Sequence, residues 1–261
     1  MSGAAGVGGA NHTGGPARAR DADSSSTIVL ISGRGSNMRA LVEQSLRADA
    51  PYRVDLVISD QPEAAGLQVA RDFGIDTRSV VADASQAPAA GPAASTSGGA
   101  SNRDQRREQY DERLAEVIDE HSPSLIVLAG FMRILSAKFV ARYAGKILNI
   151  HPSLLPKYPG LHTHRKVLAA RDTHHGATVH FVTAELDGGP PVIQARVDVE
   201  PQDDESTLAA RVQIAEHRIY PLAVRWYCEG RLRCIEGRAW LDGRTLDAPL
   251  LYEEYTLLRE H

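Results

Sequence analysis

The sequence predicts an α/β fold, in which buried strands alternate with helices along the chain. Short apolar runs indicate strands at residues 27–32, 53–59 and 125–129. Stretches with helical periodicity follow them at residues 38–46, 65–73 and 137–143. Strands and helices that alternate in this way are typical of an α/β domain.

The composition is that of an ordinary globular protein, with 261 residues of which 43% are hydrophobic and 24% charged. The formal net charge of −4 argues against nucleic acid as the main partner. No apolar run approaches the roughly 18 residues that a membrane helix needs. The N-terminus lacks the apolar segment of a secretory signal, and Cys228 and Cys234 are too few for a disulfide framework. We therefore expect a cytoplasmic protein without nucleic-acid or membrane partners, whose oligomeric state, monomer or dimer, stays open.

A glycine-rich turn, Gly33-Arg34-Gly35-Ser36-Asn37, separates the first strand from the first helix. A turn in this place points backbone N–H groups and a helix N-terminus at an anion, and Ser36 and Asn37 can cap the helix or donate hydrogen bonds. A dinucleotide fingerprint would require a third glycine where the chain has Met38. We therefore predict a site for a single phosphate, and a simple tight turn is the alternative.

Two stretches have a composition that cannot build a core. Residues 1–26 are rich in glycine, alanine and serine, and we expect them to form a disordered tail. Residues 82–101 are alanine, serine, proline and glycine without periodicity, and they follow a short strand at residues 77–81. Because a charged amphipathic helix resumes at residues 103–121, we interpret 82–101 as a low-complexity surface insertion within one domain, residues 27–261.

The strand at residues 125–129 runs into the segment Gly130-Phe131-Met132-Arg133-Ile134-Leu135. An arginine among apolar side chains after a buried strand suits a flat ligand that carries a carboxylate. In the alternative interpretation Phe131, Met132 and Ile134 are core residues and Arg133 reaches past them to solvent. These residues alone do not decide between the two.

A second polar strand end follows at residues 146–150, where Asn149 and His151 stand two positions apart and so share one face. An amide and an imidazole at a strand end are typical of an α/β active site, although a structural histidine is the alternative. Four further histidines lie close in sequence, at His162, His164, His174 and His175. Neighbouring residues lack the paired carboxylate or cysteine spacing of a metal site, so we predict no metal.

The C-terminal part of the chain adds strands and one long helix. A strand at 178–183 precedes Asp187, which stands before two glycines and is locally best interpreted as a turn former. The short connection to the strand at 192–199 predicts that it is antiparallel to its predecessor. A helix at 207–228 carries Glu216, which its local sequence places in solvent, and short strands follow at residues 232–242.

Four segments together carry a resemblance to a known family: GRGSN at 33–37, AGFMRIL at 129–135, LNIHPSLLPKYPG at 148–160 and FVTAELDGGP at 181–190. In this order they resemble the phosphoribosylglycinamide formyltransferases, and the similarity runs from about residue 27 to about residue 241. The resemblance implies a Rossmann-like formyltransferase fold, with a mostly parallel central sheet, an antiparallel strand and helices on both faces.

The resemblance also implies roles for individual residues. The catalytic set corresponds to Asn149, His151 and Asp187. The family residues that bind the phosphate of glycinamide ribonucleotide correspond to Gly35, Ser36 and Asn37. The family residue that contacts its glycinamide end corresponds to Glu216. Contacts to 10-formyltetrahydrofolate correspond to Arg107, Met132, Arg133, Ile134, Leu135 and Asn149. The insertion precedes Arg107 and makes the alignment there the least secure. The folate contact assigned to Arg107 is therefore open to Arg103 or Arg106 as alternatives.

The implied activity is transfer of the formyl group of 10-formyltetrahydrofolate to the amine of glycinamide ribonucleotide, in purine biosynthesis and without a metal. Three alternatives share part of this pattern. A methionyl-tRNA formyltransferase would need a basic C-terminal domain, and a formyltetrahydrofolate deformylase usually carries an N-terminal regulatory domain. A folate- or nucleotide-binding module would have no use for a proton-moving histidine.

Overall fold

The computed structural model describes residues 24–82 and 98–257 of the chain. Most of the expected tail and of the expected insertion lies outside these residues. Ser25 and Ser26, which were expected in the tail, already belong to a strand. The helix expected from residue 103 begins at Gly98, within the segment that was expected to be low-complexity insertion.

The strands are β1 (Ser25–Ile31), β2 (Tyr52–Ser59), β3 (Asp76–Ser79), β4 (Leu125–Leu128), β5 (Ile147–His151), β6 (His174–Phe181), β7 (Pro191–Asp198), β8 (Leu232–Ile235), β9 (Arg238–Leu241), β10 (Arg244–Thr245) and β11 (Leu250–Leu251). The helices are α1 (Ser36–Ser45), α2 (Ala65–Asp72), α3 (Gly98–Asp119), α4 (Ala137–Arg142), α5 (Thr163–Ala170), α6 (Glu205–Cys228) and α7 (Tyr252–Leu257). Among the described residues no helix has the length and apolar character needed to cross a membrane.

Eight of the described strands form one sheet in the order β11-β7-β6-β5-β4-β1-β2-β3. Neighbouring strands are parallel except at the two pairs that contain β6. The predicted α/β class with a mostly parallel sheet is therefore confirmed, as is the predicted antiparallel pairing of residues 192–199 with the preceding strand. The strands β8, β9 and β10 form a separate antiparallel sheet.

Alternation along β1 explains why helices cover both faces of the sheet. Val29 and Ile31 belong to a core shared with α1, α2 and α6. Ile28 and Leu30 belong to a second core shared with α3 and α4. Successive side chains of a strand point to opposite faces, so a continuous apolar run supplies both cores at once.

The strand order brings three strand ends together at one edge of the sheet. The chain passes from β1 outward to β2 and β3, and then returns to place β4 and β5 on the other side of β1. Open α/β sheets bind ligands outside the carboxyl ends of their strands at such a reversal. The segments that follow β1, β4 and β5 therefore meet where a ligand site is expected.

Helix α5, strand β11 and helix α7 were not predicted. Residues 156–164, rich in proline and histidine, are expected from the sequence to form a loop, but α5 begins at Thr163. The residue before it, His162, has φ 61°, and its side chain accepts no hydrogen bond from the helix N-terminus, so the usual N-cap signal is missing. The residues after 242 are expected from the sequence to form a polar C-terminal end, but β11 lies there and pairs with β7.

Candidate active site

The carboxyl end of β5 brings His151, one of the predicted catalytic residues, to the buried carboxylate of Asp187, another of them. His151 is buried, and its Nδ1 lies 3.4 Å from Oδ2 of Asp187. The same carboxylate oxygen accepts a hydrogen bond from the backbone N–H of Gly160 at 2.8 Å. Asp187 has φ 52°, so it has the backbone of the turn former expected locally and is also a site acid.

The second ring nitrogen of His151 is also engaged. Nε2 lies 2.9 Å from the carbonyl oxygen of Tyr158. A carbonyl oxygen and a carboxylate oxygen can only accept hydrogen bonds. Both ring nitrogens of His151 therefore face acceptor oxygens, one of which belongs to a carboxylate.

His180 on β6 is a site residue that the sequence interpretation missed. Its Nε2 lies 3.1 Å from Nδ2 of Asn149, and its Nδ1 lies 2.9 Å from the carbonyl oxygen of Phe181. Nδ1 must donate to that carbonyl, so in neutral His180 Nε2 accepts from the Asn149 amide. Burial lowers the pKa of His180, which keeps the ring neutral. The arrangement fixes which way the Asn149 amide points.

The signal for His180 in the sequence is weak. The strand at residues 178–183 was predicted, and antiparallel pairing sets His180 opposite Asn149. That register is not visible in the sequence, because it depends on how β6 slides along β5.

A buried network supports the loop that presents the Tyr158 carbonyl. The hydroxyl of Thr178 donates to the carbonyl of Ser153 and accepts from the backbone N–H of Leu155. Gln194 donates to the Thr178 hydroxyl and to the Leu155 carbonyl, at 2.9 and 2.8 Å. The loop after β5 is therefore held by β6 and β7.

A cavity of about 480 Å³ opens beside Asn149 and His151. Its walls come from the end of β4 and from residues 160–164 and 182–187. Met132 and Ile134 line it and are 65% and 53% exposed. An exposed apolar rim of this kind suits a flat, partly apolar ligand.

The segment from Phe131 to Leu135 is partly a core segment and partly a wall of the cavity, so each of the two interpretations drawn from the sequence is correct for some of its residues. Phe131 is a core residue, but Met132 and Ile134 are not. The Arg133 guanidinium carbon lies 4.0 Å from the centre of the Tyr110 ring, a cation–π contact with helix α3. Arg133 therefore stacks on a buried ring and also lines the cavity.

The far end of this segment is anchored to α3. The buried carboxylate of Asp111 accepts from the backbone N–H of Ser136 at 2.6 Å. Ser136 in turn caps α4 by accepting from the N–H of Phe139. Arg107, on the same helix, lies 3.5 Å from Asp104 and does not line the cavity.

The glycine-rich turn after β1 has the close backbone approach that its sequence indicates. Gly35 has φ 73°, and a Cβ there would lie 2.9 Å from Cα of Gly66. The turn is bound to the start of α2, because Gly66 N–H donates to the Gly33 carbonyl at 3.0 Å. Ser36 accepts from Nε2 of Gln213 on α6 at 2.8 Å.

Glu216 is buried, so the prediction of a solvated helix residue is wrong. Its Oε2 accepts a 2.8 Å hydrogen bond from Nδ2 of Asn37. Burial raises the pKa of this carboxyl to about 6, against a lowering by the Asn37 hydrogen bond. Packing of α6 on α1, not the local sequence, removes this residue from solvent.

Two of the histidines considered as metal ligands, His164 and His175, form a pair. His164 Nδ1 lies 3.0 Å from His175 Nε2. Burial, together with His164, lowers the pKa of His175 to about 4. In the described part of the chain there is no group of three or more histidine, cysteine, aspartate or glutamate side chains that could hold a metal ion.

Several known proteins with similar sequence and structure are phosphoribosylglycinamide formyltransferases. The formyl transferase family model matches residues 26–224. A phosphoribosylglycinamide formyltransferase of Escherichia coli K12 is 48% identical over 219 residues, which are 84% of this chain and 94% of that protein. Its counterpart in Haemophilus influenzae is 41% identical over 218 residues, with the same coverage. The solved phosphoribosylglycinamide formyltransferase of Coxiella burnetii superposes with a TM-score of 0.74 at 38% identity, over 87% of this chain and 99% of that one.

Proposed function

The chain belongs to the formyl transferase family and is a formyltransferase, and we propose that its substrates are 10-formyltetrahydrofolate and glycinamide ribonucleotide. The observation that carries this proposal is the meeting of three features at one sheet edge. These are the turn at residues 33–37, the apolar-rimmed cavity, and the set Asn149, His151 and Asp187. One feature alone would suit many ligands, whereas the three together suit a phosphorylated amine and a flat formyl donor.

The two substrates have separate places in this proposal. The phosphate of glycinamide ribonucleotide binds the backbone of Gly35 and the side chains of Ser36 and Asn37. Glu216 lies behind Asn37 and is assigned to the glycinamide end. The folate binds the cavity wall formed by Met132, Arg133, Ile134 and Leu135, beside Asn149. Arg107 stays a predicted contact to the folate.

The reaction exchanges one carbon–nitrogen bond for another. The primary amine of the ribonucleotide attacks the formyl carbon, and the formyl oxygen becomes an oxyanion. The bond between that carbon and N10 of the folate then breaks, while a proton passes from the attacking nitrogen to N10. Formylglycinamide ribonucleotide and tetrahydrofolate are the products, and this is a step of purine biosynthesis.

We assign the oxyanion to Asn149 and His151. The Asn149 amide gives one N–H to His180 and keeps a second for the oxyanion. The Nε2–H of His151 can leave the Tyr158 carbonyl for the oxyanion while Asp187 faces Nδ1. The imidazolium then gives its Nε2 proton to N10, and the neutral ring takes up the proton that the attacking nitrogen releases.

A direct assay tests the proposal and separates it from its rivals. Purified protein is mixed with 10-formyltetrahydrofolate, with and without glycinamide ribonucleotide, and tetrahydrofolate and formylated ribonucleotide are measured. We expect both products only when both substrates are present. Tetrahydrofolate with free formate in the absence of ribonucleotide would instead indicate a deformylase, and no product in either mixture would indicate a binding module.

We propose the cytoplasm as the site of the reaction. Cys228 and Cys234 are free thiols in the structure, which suits a reducing compartment.

A further inference from the structure

Ser32 lies between the two segments to which the proposed function assigns the two substrates. It follows β1 directly and precedes the glycine-rich turn 33–37. Its backbone N–H donates to the Gly130 carbonyl at 3.1 Å. Its hydroxyl oxygen accepts from the backbone N–H of Met132 at 2.8 Å, across 100 residues of sequence. Ser32 thus joins the start of the phosphate turn to the start of the cavity wall.

The two hydrogen bonds of Ser32 stabilise different parts of the structure. The backbone bond to Gly130 extends the pairing of β1 with β4, in which Ala129 N–H donates to the Leu30 carbonyl at 2.8 Å. The hydroxyl bond reaches Met132, which lies beyond the end of β4. Met132 is mostly exposed, so side-chain packing does little to hold its backbone. The hydroxyl of Ser32 is therefore the anchor of this segment at its start, as Asp111 is at its end.

We propose that Ser32 is a positioning residue that couples the two substrate sites. A substrate that orders one segment orders the other through the Ser32 hydroxyl, so the second substrate binds more tightly. The inference rests on the proposed function, which assigns phosphate to residues 33–37 and folate to 132–135. Coupling of this kind is reciprocal, so each ligand raises the affinity of the other by the same factor. A single neutral hydrogen bond corresponds to a factor of about 2 to 10.

The test uses two ligands that cannot react with each other, glycinamide ribonucleotide and tetrahydrofolate, which has no formyl group to give. Anaerobic calorimetric titration yields the Kd of each ligand alone and at saturation with the other, and the ratio is the coupling factor. Ser32→Ala removes the hydroxyl and keeps the backbone bond to Gly130. Ser26→Ala is the matched control, because its hydroxyl lies on the same strand and donates to Asp55 away from the site.

We expect equal coupling factors above 1 in the wild type and in Ser26→Ala, and a factor about 2 to 10 times smaller in Ser32→Ala. Ser32→Thr, which keeps a hydroxyl, should restore most of the coupling. An unchanged factor in Ser32→Ala, or a factor of 1 in the wild type, overturns the inference. So does a Ser32→Ala protein that binds neither ligand alone, because the role would then be structural.

The failure of the proposed function would look different. Wild-type protein that makes no formylated ribonucleotide in the product assay refutes the assignment of substrates. If the wild-type protein makes formylated ribonucleotide but Ser32→Ala has the same coupling factor as wild type, only the role of Ser32 is refuted.

Discussion

The strand ends of β1 and β5 lie on one edge of the sheet and build two different kinds of site. The candidate site after β1 depends on backbone conformation, because Gly35 has φ 73° and lies closer to Gly66 than a side chain would allow. The candidate site after β5 depends on side-chain contacts. Asn149 and His151 have partners on β6, on the loop near Tyr158 and at Asp187.

This difference shows where each site is vulnerable. A backbone site depends on the conformational freedom of one glycine, which is a local property. A side-chain site depends on partners that come from distant parts of the chain, and the loss of any of them misdirects the others. Four sets of variants can break or sharpen this comparison.

The largest effect is expected on the side-chain site. His151→Ala and Asp187→Ala should each lower kcat by about 10²- to 10⁴-fold, because proton transfer and oxyanion stabilisation are lost. The Kd for glycinamide ribonucleotide should stay within a few-fold, since the phosphate turn is intact. Steady-state kinetics and calorimetry measure both quantities.

A double variant sharpens the result. If His151 and Asp187 act as one unit, removing both should cost little more than removing one. His174→Ala is a control, because that ring is exposed at the start of β6. Near-normal turnover in either single variant would refute the assigned roles.

The next largest effect is expected on the backbone site. Gly35→Ala forces a Cβ to within 2.9 Å of Gly66 at a positive φ, which costs about 1–2 kcal/mol in backbone strain alone. We expect the affinity for glycinamide ribonucleotide to fall by about 10-fold or more, with folate binding much less affected. Gly33→Ala is the matched control, because a Cβ there meets no atom within 4 Å. Equal behaviour of the two variants would contradict the proposed close approach.

A smaller effect is expected when the Asn149 amide loses its guide. His180→Leu removes the acceptor for Nδ2, so we expect kcat to fall by about 10-fold while KM for the ribonucleotide stays similar. The same substitution should have little further effect in an Asn149→Ala background, because the two residues act through one contact. Additive losses in this cycle would show that His180 supports the fold and does not orient the amide.

The smallest effect concerns stability and tests the buried carboxyl beside the phosphate turn. The folded pKa of Glu216, about 6, lies above the ordinary glutamate pKa of 4.5. The folded state therefore binds more protons between these values. This contribution to stability is fully present below pH 4.5 and is lost as the pH rises through 6.

Glu216→Gln lacks this titration and keeps an acceptor for Asn37. From pH 4.5 to pH 7 its free energy of unfolding should therefore gain about 1–2 kcal/mol relative to wild type. Urea unfolding of both proteins at the two pH values measures the difference. Parallel pH dependences would contradict the raised pKa.

Features that depend only on residues close together in the sequence were predicted from the sequence. Apolar runs located β1 to β7 to within about four residues, because a strand buried on both faces needs such a run. The glycine turn and the shared face of Asn149 and His151 follow from the periods of backbone and strand. The start of α5 was not predicted, because its N-cap residue, His162, is not one of the usual capping residues.

What the tertiary structure alone decided are the contacts between distant residues. Glu216 meets Asn37 across 179 positions, His180 meets Asn149 across 31, and Ser32 meets Met132 across 100. A residue's burial and hydrogen-bond partners depend on which elements pack on it, and this information is not contained in its local sequence. The sequence by itself thus determined the α/β pattern, the glycine-rich turn at residues 33–37 and the neighbouring positions of Asn149 and His151 at one strand end. Only packing decided that Glu216 is buried and that His180 orients Asn149.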